Sequence, residues 1–106
     1  MTIHPAYVIQ KDSFGQAIEF KIVDTDGSAL DISAATTLAV DLRKPDGTTV
    51  TKTGALVSGG VDGLMKYTWV ADDLALTGVW TALPRAEHSS YKYRGALREF
   101  LVRAGA

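Results

Sequence analysis

The acidic residues are the first place to look for chemistry. Asp24 and Asp26, Asp72 and Asp73, and the loop residues Asp46 and Asp62 are spaced so that acid–base or metal chemistry is conceivable. Asp24-Thr25-Asp26-Gly27 is only faintly similar to the opening of a calcium loop, and the later acidic positions and the bidentate glutamate do not follow. An Asp-Gly pair is also what a tight hairpin turn requires, and turn chemistry accounts for these residues. His4 and His88 fall in an arm and a loop, without a partner at metal-ligand spacing. Ser89 and Ser90 adjoin His88, yet a nucleophile system would need an aspartate from elsewhere and lacks a nucleophile elbow. Gly59-Gly60-Val61-Asp62-Gly63 has the glycines of a phosphate cradle but neither its lysine nor its strand-to-helix setting, so it reads as a flexible connection. No cysteine is present, which removes thiol nucleophiles, thiolate metal sites and disulfides. The chain is expected to be no enzyme, with no catalytic residue, cofactor or metal.

Recognition is better served. Arg85 and the run Tyr91-Lys92-Tyr93-Arg94 interleave aromatic and basic side chains. On a strand, Tyr91 and Tyr93 share one face while Lys92 and Arg94 share the other. Such pairs can stack on single-stranded nucleic acid or on sugars, and tyrosine and arginine are enriched at protein–protein hot spots. A strand with one buried and one solvated face gives the same pattern. Tyr91, Tyr93, Arg94 and Arg85 are therefore the candidate interface residues, together with the N-terminal arm. Eleven basic against twelve acidic side chains leave a net charge of −1, which speaks against dedicated nucleic-acid binding.

These residues must be held by strands. Leu38, Val40 and Leu42 alternate with Ala39, Asp41 and Arg43, and Pro45-Asp46-Gly47 then turns the chain into the β-branched run 48–51. This predicts a hairpin over 36–50, its second strand continuing in broken form through 52–57. Further strands are expected at 7–10, 17–24, 64–70 and 79–83, with a long last one at 91–102 broken near Gly95. Met65, Tyr67 and Trp69 should face inward, because burying Lys66 is costly. Pro84 suggests an edge position or a bulge. A short helical turn is expected over 71–78, and Leu30 and Ile32 are expected to plug an open end of the core. Residues 1–6 read as a flexible or edge arm. With 106 residues, the chain reads as a single domain over 1–106. About seven short strands separated by turn signals point to an all-β sandwich, a small open barrel being the alternative. The N-terminal residues lack the basic start and apolar stretch of an export signal, and no run is long enough to span a bilayer.

Several stretches then carry a resemblance. Asp24-Thr25-Asp26-Gly27 leads into Leu30-Asp31-Ile32-Ser33-Ala34-Ala35, followed by Leu42-Arg43-Lys44-Pro45-Asp46-Gly47, Gly63 before Tyr67-Thr68-Trp69, and Gly78-Val79-Trp80. Over about residues 7 to 102 this order resembles the N-terminal immunoglobulin-like domain of tailed-phage baseplate upper proteins and of related small virion proteins. Ala34-Ala35 stands where that family usually has glycine-alanine. The resemblance implies an immunoglobulin-like β-sandwich of antiparallel strands that acts as a non-catalytic virion structural protein. Its place would be the tail or baseplate, the neck or the capsid surface, since no receptor-binding or coiled-coil segment follows the domain. Its partners would be other phage structural proteins, in several copies of a symmetric assembly made in the bacterial cytoplasm, with no membrane involved. The alternative is a carbohydrate- or receptor-binding module of a phage particle using exposed aromatics such as Trp80 or Tyr91.

Overall fold

The computed structural model describes residues 7–104, and every regular element within them is a strand. The arm expected at 1–6, His4 included, lies outside the described residues. The strands are β1 (Tyr7–Gln10), β2 (Ala17–Lys21), β3 (Thr37–Arg43), β4 (Thr49–Thr53), β5 (Ala55–Leu56), β6 (Leu64–Thr68), β7 (Gly78–His88), β8 (Tyr91–Arg94) and β9 (Arg98–Arg103). Six form one sheet in the order β1-β9-β7-β3-β4, with β8 also paired to β7, and three form a second in the order β2-β6-β5. Inner residues of both sheets join one hydrophobic cluster, which makes the domain all-β and sandwich-like. Nine strands stand where about seven were expected, because two expected strands are each divided, at Gly54 and at residues 95–97. Nor are all pairings antiparallel. β1 runs parallel to β9, with Val8 opposite Leu101 and Ile9 opposite Val102. No hairpin joins these two segments, so no turn dictates their relative sense.

The hairpin of β3 and β4 forms as its residues require. The Lys44 amide donates to the Thr48 carbonyl at 2.8 Å and the Gly47 amide to the Lys44 carbonyl at 2.9 Å. The Asp46 carboxylate accepts from the Thr48 amide and hydroxyl at 3.0 and 2.6 Å, satisfying turn groups locally.

Alternation sets the core. Val40 and Leu42 of β3, Trp80 and Ala82 of β7, Phe100 and Val102 of β9 face Ile18, Phe20, Met65 and Tyr67 from the second sheet, all buried. Trp69, just past β6, stands edge-on to Tyr67 and 5.3 Å from Phe100, which in turn lies 5.7 Å from Trp80. This run of rings bridges the two sheets, each large ring contributing area and oriented contact. The Trp80 indole donates to the Leu76 carbonyl at 3.0 Å, so its polar atom is satisfied inside.

Pro84, for which an edge position or a bulge is expected, does not lie at an edge. It is fully buried in β7, the central strand, opposite Val40 of β3. On its other side β9 pairing ends at Ala82 and β8 pairing begins at Arg85. The proline thus occupies the gap where one neighbouring strand hands over to the next, and its carbonyl accepts from the Gly95 amide at 2.9 Å. A residue without an N–H disturbs no ladder there.

Two loops also differ from expectation. The glycine loop is a packed joint rather than a flexible connection. The carbonyls of Gly60 and Gly63 accept from the amides of Ile32 and Ile22, each at 2.9 Å, stitching the 22–35 segment onto the domain. Gly63 has φ of +74°, and a Cβ there would stand 2.5 Å from the Ile22 carbonyl oxygen, so only glycine fits. Ile32 is buried as expected, beside an Asp31 carboxylate that accepts from the Ser33 amide. Residues 71–74 form turns and no helix, since Asp72 adopts φ of +72° and breaks any helical run. The Asp73 carboxylate instead accepts from the Tyr67 hydroxyl at 2.5 Å and the Val70 amide at 2.9 Å, and pairs with Lys52 of β4 at 3.1 Å. Burial pushes its carboxyl up, but these three donors outweigh burial and hold it below the usual range.

Candidate functional site

The solvent face of the six-stranded sheet is where exposed chemistry concentrates. Outward positions on β7 are Val79, Thr81, Leu83, Arg85 and Glu87, the alternates of its buried set. Arg85 forks onto Asp41 of β3, its Nε at 3.0 Å from Oδ2 and Nη2 at 3.3 Å from Oδ1, while Nη1 donates to Glu87. The Thr51 hydroxyl of β4 donates to the same Asp41 at 2.6 Å. Arg85 chiefly, helped by Thr51 against a little burial, holds the Asp41 carboxyl below its ordinary value. Asp41 first, and Glu87 after it, raise the guanidinium in return. Arg94 of β8 sits directly opposite Arg85, a like-charge pairing that two carboxylates around Arg85 make tolerable.

The four candidate residues are split between faces. Arg85 and Arg94 lie on the outer face. Tyr91 and Tyr93 lie on the other, half-buried and stacked 4.3 Å apart, with His88 stacked on Tyr91 at 5.3 Å. The Tyr91 hydroxyl is buried without a hydrogen bond among the described residues, and its pKa is raised by that burial, then by Tyr93 and Asp31. His88 bonds locally, its Nδ1 2.9 Å from the Ser90 hydroxyl and accepting from the Ser90 amide at 3.2 Å, while the neighbouring Glu87 engages Arg85. No group of three metal-ligating side chains occurs among the described residues. Trp80, expected as a possible exposed platform, is 1% exposed and sealed in the core.

Beside the ionic cluster lies an apolar region that sequence reasoning missed. Val79, Leu101 and Val8 form a row across β7, β9 and β1 in register. A groove of about 500 Å³ runs alongside, floored by Thr81 and Leu83 and bounded by Arg43, Pro45 and Leu97. Val8, Val79 and Leu97 are 49, 48 and 61% exposed, too much for residues serving the core. The row depends on a parallel pairing between the two ends of the chain, which no local pattern signals. The face as a whole can present shape, hydrophobic contact and charge to a macromolecule.

The chain matches no known family model. Comparison with curated proteins finds no match either.

Proposed function

We propose that this chain is an immunoglobulin-like sandwich serving as a non-catalytic structural protein of a phage particle, and that it works by docking onto neighbouring proteins. The observation that carries the fold is the strand order. The order β2-β6-β5 parallels the B-E-D strands of an immunoglobulin sandwich, and β9-β7-β3-β4 parallels G-F-C-C′. That is the architecture the turn-and-strand resemblance implies. The virion role rests on the resemblance, and docking is supported by the outer face with its ionic cluster beside an apolar row.

The glycan-binding alternative is less favoured. A sugar platform needs an open ring face, whereas Trp80 is in the core and Tyr91 stacks between His88 and Tyr93.

Purified particles from the producing host, examined by quantitative mass spectrometry, test the proposal. Stoichiometric recovery is expected, its copy number separating a capsid coat from a neck or baseplate ring. Absence from particles overturns it and directs attention to glycan and receptor binding.

A further inference from the structure

We infer that the outer face of the six-stranded sheet is a self-complementary interface through which two copies of this chain pair face to face. Thr81 lies at the centre of the pattern. Its partner on β3 is Arg43 and its partner on β9 is Glu99, one cation and one anion a single strand to either side. Both side chains are exposed, and neither forms an ion pair among the described residues. A two-fold axis running along β7, between two stacked copies, exchanges those two positions. Arg43 of each copy then meets Glu99 of the other, twice per dimer, as an isologous interface demands.

The same axis treats the apolar residues consistently. Val79 and Leu83, on β7 itself, fall on their own counterparts, with the exposed Leu97 beside them. Stacked sheets pack with strands within about 30° of one another. With the axis inclined by half that angle to β7 and crossing it over Thr81, counterparts diverge with distance from Thr81, which leaves the internally compensated Asp41–Arg85–Glu87 cluster at the rim. Five strands abreast and some six residues along offer on the order of 500 Å² of face, before the turn at Pro45 and the link at Leu97 are counted. A standard interface uses about 800 Å² per partner, so the pairing belongs with the small, weak and transient interfaces. A second copy fits better than an unrelated partner because the face carries both halves of its own charge pattern around a shared apolar centre.

Sedimentation equilibrium of the full chain, from micromolar to near-millimolar concentration, tests this. The wild type is expected to reach twice the chain mass. Arg43→Glu and Glu99→Arg are each expected to weaken pairing more than ~100-fold, since each creates two like-charge contacts per dimer. The double variant is expected to recover to within about tenfold of wild type. Thermal unfolding checks that the variants fold; should one fail, Val79→Asp at its half-exposed position serves as the disrupting change. A wild type that stays monomeric, single variants that pair as wild type does, or a double variant no tighter than the singles each overturn the inference. The measurement uses isolated protein, so its outcome is separate from the particle experiment.

Discussion

Asp73 and Asp41 gather similar partners in different surroundings. Each carboxylate accepts a hydroxyl hydrogen bond and pairs with a cation from another strand, Tyr67 and Lys52 for one, Thr51 and Arg85 for the other. The Asp73 side chain is 4% exposed, whereas that of Asp41 is 26% exposed. Asp73 ties the turn after β6 to edge strand β4. Asp41 lies on strands already joined by their own ladder. Water reaches the Asp41 carboxylate and scarcely the Asp73 carboxylate, although Lys52, at 33% exposed, is at least as open as Arg85 at 23%. The inventory of contacts is alike, and solvent decides what each is worth to the fold.

The largest consequence is at the shielded carboxylate of Asp73. Asp73→Ala leaves the Tyr67 hydroxyl and the Val70 amide without their acceptor and Lys52 without its counterion. A loss of about 2–3 kcal/mol is expected, the scale of hydrogen bonds to a charged group. At this chain length that lowers the unfolding midpoint by roughly 10 °C or more. Urea unfolding of the two proteins measures it, and a loss under ~1 kcal/mol would mean that water replaces the lost partners, erasing the contrast.

Acid sharpens the same contrast. The Asp73 carboxyl is held below its ordinary value, so its unfolded pKa, about 3.9, is the higher of the two. Its contribution is fully present above that value and disappears as pH falls through the lower, folded one. The stability gap between wild type and Asp73→Ala should therefore be constant near neutrality and narrow below about pH 4. Thermal midpoints recorded for both proteins from neutral to strongly acid pH give this directly. A gap that persists undiminished at the acid end would assign the effect to packing of the side chain rather than to its charge.

Much of this arrangement could be read from the residues, and the exceptions have physical causes. Local signals held where local physics decides: the alternation of Leu38, Val40 and Leu42, the turn at Asp46-Gly47, and the inward set Met65, Tyr67 and Trp69. Pro84 misled because a missing N–H marks any place without a ladder partner, and a handover between β9 and β8 is such a place as much as an edge. Glycines 59, 60 and 63 suggested flexibility, although Gly60 and Gly63 serve close backbone approach. At the candidate site, the division of Tyr91 and Tyr93 from Lys92 and Arg94 followed from strand geometry alone. The Asp41–Arg85 pair spans 44 positions, and the Val79–Leu101–Val8 row needs the two chain ends side by side. Such juxtapositions are properties of topology, which no window of residues contains.

The smallest expected effect completes the comparison. Arg85→Ala removes the fork to Asp41 and the bond to Glu87, yet both carboxylates remain partly open to water and Thr51 still serves Asp41. A loss of no more than ~1 kcal/mol is expected, declining further in high salt, as for other solvent-screened ion pairs. Urea titrations of the variant at low and high ionic strength measure both quantities. A loss above ~2 kcal/mol, insensitive to salt, would make this cluster part of the fold's foundation like Asp73 and would end the distinction. A small, salt-dependent loss carries the opposite meaning. Folding then asks little of the charged residues on this face, and their arrangement beside an exposed apolar row is better understood through what the face meets than through what lies beneath it.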